Sequence, residues 1–325
     1  MPGTYSAEKQ IVDAIETIRL ADSAHTLQVS ICPSVGNIAY DMRVHGQPIL
    51  SSPPGSLAEW KAKPSQAGIP FLAPWANRLD SDGYWANGKR YHLNPDVIAL
   101  RRDANGLPIH GLLLFASAWQ VMHLTADDQA AEAVSRLEFW RHPDWMAQFP
   151  FAHTIQMTHR LSGGVLEVRT AIENLSSEPM PLVIGFHPWY QMPGAPRDQW
   201  QVRVPVREHY LLSPQLTPTG ETEPANLADP TPLAGRQLDD VFGGVDHDRE
   251  FSLEAAGRKI AVSYGPKFPI AIVYAPQTRA VVCFEPMTGL TNGFNLAHQG
   301  RFPNLQSIAP GDTWTESFWI RASGF

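Results

Sequence analysis

The sequence has little of several features that would narrow its class. Charged residues make up only 18% of the 325 residues, the net charge is −7, and cysteine occurs only twice. No run approaches 18 consecutive apolar residues, so we expect no membrane-spanning helix, and the first residues lack the apolar core of a signal peptide. The negative charge argues against nucleic acid and anionic membranes as partners, because both are bound by basic patches.

Familiar motifs of cofactor and metal chemistry are also absent. The sequence contains no G-x-G-x-x-G, P-loop, H-E-x-x-H or G-x-S-x-G pattern. His153 and His159 are too far apart in the chain for a convincing ligand pair, so we expect neither a metal nor a cofactor. Cys32 and Cys283 lie far apart in apolar runs, which predicts buried free thiols, a reducing compartment and a cytoplasmic location.

The chain is rich in apolar and neutral polar residues. Hydrophobic residues are 43% of the total and ten are Trp, which is ample for a large core. Aromatic faces beside His, Asn and Gln suit a neutral polar ligand such as a sugar, although a β-rich surface has a similar composition. The 29 Pro are spread along the chain and do not form a linker. We interpret residues 213–236 as a surface excursion and predict a single domain over residues 1–325.

Strand patterns and turn signals recur along the chain. Residues 166–172 alternate with period two, residues 271–274 and 281–284 form a predicted hairpin, and Asn87-Gly88 is a strong tight-turn signal between aromatic flanks. This pattern predicts an all-β fold, a large antiparallel β-sandwich.

Helical periodicity is scarce, and the best candidate is residues 7–19, where Ile11, Ile15 and Ile18 could share one face. The second half of that segment could instead form a strand over residues 15–20. A hairpin would then lead into residues 26–31, and we favour this hairpin.

Glu285 is the first candidate for chemistry. It follows an apolar run, residues 280–284, and Pro286 and Gly289 should end the strand there. A carboxylate at the end of a buried strand is costly unless it is paired or used. Two histidines have similar settings: His110 lies between Ile109 and Gly111, and His187 precedes Pro188-Trp189-Tyr190.

These histidines could be core residues or acid–base groups, since imidazole titrates near neutrality. Trp189 could form a wall for a sugar ring, or simply pack in the core. Arg78 of the Asn77-Arg78 pair could offer a fork of donors to a ligand, or could be a surface Arg that closes a turn or pairs with Asp80. In Leu238-Asp239-Asp240-Val241-Phe242 one carboxylate could accept hydrogen bonds from ligand hydroxyls, or cap a turn.

Taken together and in order, these segments resemble the aldose 1-epimerase (galactose mutarotase) family. The resemblance implies a β-sandwich of the galactose-mutarotase-like (supersandwich) type and an isomerase that interconverts the α and β anomers of a free aldose. Such an enzyme needs no cofactor and no metal. Its partner would be a small-molecule sugar, and it would be a monomer or homodimer. The matching segments are residues 29–37, 77–78, 109–111, 186–190, 238–242, 284–289 and 308–312.

The resemblance also implies roles. Glu285 would be the general base that removes the proton from the anomeric hydroxyl, and His187 the general acid that protonates the ring oxygen. His110 would hydrogen-bond the ring oxygen or share the acid role. The substrate would be bound by Asn77, Arg78, Asp239 and Trp189. Asp239 is preferred to Asp240 because Phe242, three residues later, fits the family spacing better.

Two alternatives stay open. A hexose-6-phosphate 1-epimerase would share the fold and mechanism, and Arg101-Arg102 or Lys89-Arg90 could bind its phosphate. A non-catalytic carbohydrate-binding protein on the same fold would lack one member of the Glu–His pair, whereas this chain keeps both Glu285 and His187.

Overall fold

The computed structural model describes residues 3–325, and strands dominate it. The strands are β1 (Tyr5–Val12), β2 (Ile15–Asp22), β3 (Leu27–Cys32), β4 (Ile38–Val44), β5 (Gln47–Pro48), β6 (Phe71–Leu72), β7 (Gly83–Ala86), β8 (Lys89–His92), β9 (Gln120–Ala126), β10 (Ala131–Glu138), β11 (His153–Ser162), β12 (Val165–Asn174), β13 (Met180–Leu182), β14 (Gly185–Phe186), β15 (Gln201–Arg203), β16 (Glu208–Leu212), β17 (Pro218–Pro224), β18 (Thr231–Pro232), β19 (Leu238–Gly243), β20 (Phe251–Ala255), β21 (Arg258–Tyr264), β22 (Ile270–Ala275), β23 (Cys283–Met287), β24 (Gln306–Ile308) and β25 (Thr313–Ser323). The α-helices described are α1 (Leu57–Ala62), α2 (Pro143–Gln148) and α3 (Gly293–His298).

Most of these strands lie in three antiparallel sheets, and β7-β8 and β13-β24 form two further two-stranded sheets. The largest has nine strands in the order β18-β15-β20-β21-β25-β12-β11-β10-β9, and the second has seven in the order β17-β16-β19-β22-β23-β14-β6. A five-stranded meander, β1 to β5, packs against the nine-stranded sheet through β1 and β2. The predicted all-β antiparallel sandwich is confirmed. The single domain over residues 1–325 stays a prediction.

The main core lies between the nine-stranded and seven-stranded sheets. Phe318 of β25 packs on Phe186 of β14, and Phe251 of β20 packs on Phe284 of β23, with ring centroids 4.8 and 5.7 Å apart. Each buried Phe side chain contributes roughly 1.5–3 kcal/mol by leaving water. Because side chains alternate along a strand, Phe284 in the core places Cys283 and Glu285 on the opposite face of the seven-stranded sheet.

The predicted hairpins are confirmed. β7 and β8 pair around Asn87-Gly88, whose φ angles of 50° and 74° are those of the tight turn expected for Asn-Gly. β22 pairs with β23, and residues 166–172 lie within β12.

The helix considered for residues 7–19 is wrong. Residues 5–12 form β1, which pairs with β2 along its whole length, and Ile11 is 71% exposed. Asp13 and Ala14 adopt φ angles of 48° and 63°, which close a two-residue hairpin and bring the strands together. The favoured hairpin into residues 26–31 is confirmed as β2 and β3. The excursion over residues 213–236 is partly strand, because it contains β17 and β18.

Two buried histidines of β11 predict an acid-sensitive fold. Burial lowers the pKa of both His153 and His159 to about 4, from an ordinary value of 6.5. An unfolded histidine therefore takes up its proton at a higher pH than the folded one. We expect the free energy of unfolding to be fully maintained above pH 6.5 and to fall as pH drops toward 4, by up to about 3 kcal/mol per histidine.

Urea unfolding at pH values between 7 and 4.5 measures this loss. The variant His159→Leu should reduce the slope of stability against pH by close to one histidine's share, and His92→Gln, at an exposed position, is the control variant. An identical slope in wild type and His159→Leu would contradict the assignment.

Candidate active site

Glu285 and His187 form the centre of the candidate site. Glu285 is 1% exposed and lies in the middle of β23, because Pro286 and Met287 continue the pairing with β22. The expectation that Glu285 ends its strand is therefore wrong. His187 directly follows β14, the neighbouring strand, where its backbone N–H donates to Pro70 O at 3.0 Å. Neighbouring strands bring His187 Nε2 to 3.2 Å from Glu285 Oε1.

Burial shapes the protonation of this pair. It raises the pKa of Glu285 well above its usual value, with a further rise from the charge of Asp239, while the positive charge of Arg78 opposes the rise. Burial lowers the pKa of His187 to about 3. Both shifts favour the uncharged forms of the two side chains.

His110 lies against His187. The two rings meet edge to face with centroids 5.5 Å apart, and His110 is 5% exposed. Burial lowers the pKa of His110 well below its usual value, and the charges of His187, Arg101 and Arg78 add to this effect. The backbone of His110 has a φ of 65° and donates to Asn77 O at 2.9 Å. The structure thus brings both predicted histidines together with Glu285.

Gly111 allows the His110 turn to lie against the neighbouring chain. A Cβ at this position would lie 2.1 Å from Ala73 O, and its φ is 65°. We expect Gly111→Ala to lower the free energy of unfolding by roughly 2–4 kcal/mol, because a left-handed alanine is strained and the backbone must move apart.

Gly106→Ala is the matched control for this substitution. Gly106 has a similar φ of 77°, but a Cβ at position 106 would have no atom within 4 Å, so the substitution should cost only about 1 kcal/mol. Urea unfolding of both variants measures the difference. Equal losses would mean that strain alone, and not the close approach to Ala73, requires glycine at position 111.

The register of β19 distinguishes Asp239 from Asp240. Asp239 lies opposite Tyr274, which lies opposite Cys283, so Asp239 shares a face with Cys283 and Glu285. Burial raises the pKa of Asp239, opposed by Arg78 and reinforced by Asp240. Asp240 takes the other face, where its Oδ1 lies 3.1 Å from His209 Nε2. The carboxylate on the face of Glu285 is therefore that of Asp239.

Arg78 is held by a carboxylate that the sequence did not single out. Its Nε donates to Asp103 Oδ2 at 2.7 Å, and Asp103 Oδ1 accepts the backbone N–H groups of Asn105 and Leu107. The fixed guanidinium acts electrostatically on both Glu285 and His187. Asn77 has a φ of 52° and shapes this turn through its carbonyl, which accepts from His110.

Trp189 supports His187. The two rings stack at 4.8 Å with an interplanar angle of 11°, and the guanidinium of Arg279 lies over the indole, 4.5 Å from its centroid. Tyr274 meets the indole edge to face. Trp189 is only 4% exposed, so its ring is packed between neighbours and does not present an open wall. Its predicted contact with a substrate stays a prediction.

The segment after β23, from Asn292 into helix α3, fixes the turn that carries Arg78. Asn292 Nδ2 and Asn295 Nδ2 donate to the two carboxylate oxygens of Asp80, at 2.9 and 2.7 Å, and Asn292 N–H donates to Arg78 O at 2.9 Å. The sequence indicates Asp80 only as a possible partner of Arg78 and assigns no role to Asn292 or Asn295. Because Asp80 is more than 200 positions from both asparagines, no spacing pattern could have paired it with them.

Three side chains of the site have metal-ligating chemistry. His187, Cys283 and Glu285 each offer one ligand atom, and these atoms lie within 4.8 Å of one another. A nitrogen, sulfur and oxygen set of this kind suits a borderline-soft ion such as Zn²⁺. Cys283 and Cys32 are both buried and unpaired, as predicted. The expectation of no metal stays a prediction.

A comparison with protein families and known proteins shows the family of the chain. The family model described as aldose 1-epimerase matches residues 17–321. The chain belongs to the aldose 1-epimerase family. Two relatives from Escherichia coli K12 are the uncharacterised protein YihR, 23% identical over 69% of this chain and 70% of its own length, and YphB, 21% identical over 77% and 82%.

Solved structures show the same fold for this member of the aldose 1-epimerase family. A galactose mutarotase-like protein from Clostridium acetobutylicum has a TM-score of 0.87, with 19% identity over 99% of both chains. A galactose 1-epimerase from Lactobacillus acidophilus has a TM-score of 0.73, with 13% identity over 98% of both chains. The galactose-mutarotase-like sandwich implied by the resemblance is confirmed. Within residues 3–325, no helix is long and apolar enough to cross a membrane.

Proposed function

We propose that this chain is an isomerase, an aldose 1-epimerase that interconverts the α and β anomers of a reducing sugar by acid–base ring opening. The observation that carries the proposal is the buried contact between Glu285 and His187, 3.2 Å apart, with Asp239 and Arg78 acting electrostatically on Glu285. Mutarotation moves one proton away from the anomeric hydroxyl and another onto the ring oxygen, so it needs one base and one acid.

In the proposed mechanism, the Glu285 carboxylate accepts the proton of the anomeric hydroxyl while His187 donates a proton to the ring oxygen. The bond between C1 and the ring oxygen breaks, and the free aldehyde forms. Rotation about the C1–C2 bond presents the other face of the aldehyde. Closure then returns the first proton from Glu285 to the new anomeric hydroxyl and takes the second back to His187.

This cycle fits a pair that binds one proton in total. Before ring opening the proton is on His187, and after ring opening the pair holds it on Glu285. Burial favours the second arrangement, whereas the charge of Arg78 favours the Glu285 carboxylate. Asp239 and the Arg78 fork are left to bind hydroxyls.

His110 is the second imidazole at the proposed reaction centre. Its ring meets that of His187 edge to face, so a sugar that contacts His187 through its ring oxygen also lies beside His110. We assign proton transfer to His187, because it contacts Glu285, and hydrogen bonding of the ring oxygen to His110.

Two of the four cations considered for the phosphate site of a hexose-6-phosphate epimerase are paired with carboxylates. Arg102 makes two hydrogen bonds to Asp82, and Lys89 binds Glu178 at 2.7 Å. Arg101 acts electrostatically on both histidines. The retained Glu285–His187 pair likewise argues against a purely sugar-binding protein. A cytoplasmic location and a monomer or homodimer stay predictions.

Polarimetry of freshly dissolved α anomers tests the proposal. Wild-type protein should accelerate the approach to anomeric equilibrium of at least one aldose in a panel of gluco- and galacto-configured sugars, including their C6 acids and phosphates. The uncatalysed rate in the same buffer is subtracted. A panel in which no sugar equilibrates faster than in buffer would overturn the enzymatic proposal.

A further inference from the structure

The face of β23 that carries the proposed base also carries a thiol. Cys283 and Glu285 are two residues apart on this strand, so their side chains lie on the same face of the seven-stranded sheet. His187 follows β14, which pairs with β23. One ligand atom from each of these three residues lies within 4.8 Å of the other two. Adjacent strands therefore bring a nitrogen, a sulfur and an oxygen together at the proposed reaction centre.

The separation of these atoms suits a small thiophilic cation. Zn²⁺ binds nitrogen and oxygen at about 2.0–2.2 Å and thiolate sulfur at about 2.3 Å, so the ligand atoms of a tetrahedral site lie roughly 3.5 Å apart. His187 Nε2 and Glu285 Oε1 are already 3.2 Å apart. Since no two of the three ligand atoms are more than 4.8 Å apart, side-chain shifts of about 1 Å close the set around one ion.

An unsatisfied oxygen indicates a ligand at the same place. Glu285 Oε2 is buried and has no hydrogen-bond partner among residues 3–325, and the residue is only 1% exposed. A buried carboxylate oxygen that no donor meets costs free energy, and a cation bound to it removes that cost. A thiolate and a carboxylate together carry two negative charges, so Zn²⁺ makes the set neutral, and a neutral set is less costly to bury than a single charge.

The charges around the site are mixed. Asp239 acts electrostatically on both the thiol and the proposed base, and its negative charge favours a cation. Two positive charges oppose one: Arg78, which is paired with Asp103 at 2.7 Å, and Arg279, which lies over the Trp189 ring at 4.5 Å. An ion held here must therefore bind through its bond to sulfur and not through charge alone, which favours Zn²⁺ over Mg²⁺.

We propose that His187, Cys283 and Glu285 form a Zn²⁺ site at the reaction centre, and that the bound ion holds the enzyme in an inactive state. The thiol gives its proton to solvent as the ion binds. The ion bonds to the proposed acid and base together, so the pair can no longer exchange protons with a sugar. The inactive state rests on the proposed function, whereas the metal site does not. Because mutarotation needs only one acid and one base, the ion is an inhibitor of this reaction and not its cofactor.

Titration with the metal alone tests the site. Calorimetry of wild type with Zn²⁺ should show one ion per chain whose affinity falls by about 100-fold in Cys283→Ser, the scale of one ligand in a structural zinc site. Co²⁺ in place of Zn²⁺ should give a thiolate-to-metal absorption band in wild type that Cys283→Ser lacks. Cys283→Ala, which buries no hydroxyl, should show the same losses, and circular dichroism checks that each variant is folded.

Cys32→Ser is the matched control. Cys32 is also buried and unpaired, but it does not belong to the set, so its substitution should leave both signals unchanged. Equal zinc affinity in wild type and Cys283→Ser, or no binding in wild type, would overturn the site. An equal loss in Cys32→Ser would do the same. Mg²⁺ prefers oxygen ligands and should not bind at the same concentration; if it bound as tightly as Zn²⁺, the carboxylates alone would hold the ion and the thiolate site would be wrong.

Polarimetry in the presence of Zn²⁺ tests the inactive state. Zn²⁺ should slow mutarotation by wild type, and EDTA should restore it, with each variant compared with its own rate in EDTA and the uncatalysed rate subtracted. The concentration for half inhibition should rise by about 100-fold in Cys283→Ser. It should also rise with the sugar concentration, because sugar and ion meet the same two groups.

The two measurements fail in different ways. A wild type that binds Zn²⁺ through Cys283 and keeps its full rate would overturn the inactive state and leave the metal site standing. If no sugar equilibrates faster with wild type than in buffer, the proposed function fails, and the titration with Zn²⁺ still decides for or against the metal site.

Discussion

Glu285→Gln should lower kcat for mutarotation by about 10²- to 10⁴-fold, which is the usual contribution of a positioned general base. Glutamine keeps the shape and hydrogen-bonding capacity of the side chain but cannot accept the proton of the anomeric hydroxyl. The fold should be kept and the free energy of unfolding should not fall, because burying a carboxylate at 1% exposure is costly. Polarimetry and urea unfolding of the same preparations measure the two effects.

Glu173→Gln is the control for this variant. Glu173 also lies on a strand, β12 of the nine-stranded sheet, where it accepts a hydrogen bond from Thr154 Oγ1, whereas Glu285 belongs to the seven-stranded sheet. Its substitution should leave kcat within about twofold of wild type, the range of a surface change. A Glu285→Gln protein that is folded and retains wild-type kcat would show that another group acts as the base.

The second large effect is expected at His187. His187→Gln should lower kcat by about 10²- to 10⁴-fold with little change in KM, because it removes the group that protonates the ring oxygen in the transition state. His110→Gln should lower kcat/KM by about tenfold, since it removes one hydrogen bond and leaves the acid in place. Rates over a range of substrate concentration separate kcat from KM.

His209→Gln is the control for both histidines. Its ring lies between Glu223 and Asp240, at 3.0 and 3.1 Å, in the same seven-stranded sheet but on the face of Asp240. Its loss should leave kcat unchanged. If His110→Gln lowers kcat more than His187→Gln does, His110 is the proton donor and His187 has the positioning role, so the assignment of the acid would be wrong.

The sequence predicts the fold well where the signals are local. Asn87-Gly88 forms the expected tight turn, and the hairpin of β22 and β23 follows from two apolar runs around a turn. The position of Glu285 within its strand is less local. Pro286 predicts the end of the strand, but proline is tolerated where its missing N–H is not required by the neighbouring strand. The structure therefore pairs Pro286 with Ala271 and buries Glu285 in the sheet.

Strand pairing also determines features that the periodicity of the sequence leaves open. The isoleucines at positions 11, 15 and 18 fit a helical face, but the turn at Asp13-Ala14 folds β1 onto β2 instead. For Asp239 and Asp240, the alternation of side chains along a strand shows only that the two carboxylates lie on opposite faces of the sheet. The register of β19 with β22 and β23 then determines which one shares the face of Glu285.

The supporting contacts of the site could not be predicted from the sequence. Asp103 holds Arg78 across 25 positions, and Asn295 binds Asp80 across 215. Arg279 lies in the turn after β22, where the sequence indicates only a hairpin. Its guanidinium nevertheless lies over the Trp189 ring. Each of these contacts depends on tertiary packing between elements whose order in space the local sequence does not encode.

A structure of the Glu285→Gln protein with a bound reducing sugar would show whether the proposed base and acid meet the reacting atoms. We expect the anomeric hydroxyl to lie within hydrogen-bonding distance of the side chain at position 285, and the ring oxygen to lie within that distance of His187 or His110. Arg78 and Asp239 should contact other hydroxyls. A sugar bound elsewhere, or one that presents neither C1 nor its ring oxygen to these residues, would contradict the proposed mechanism.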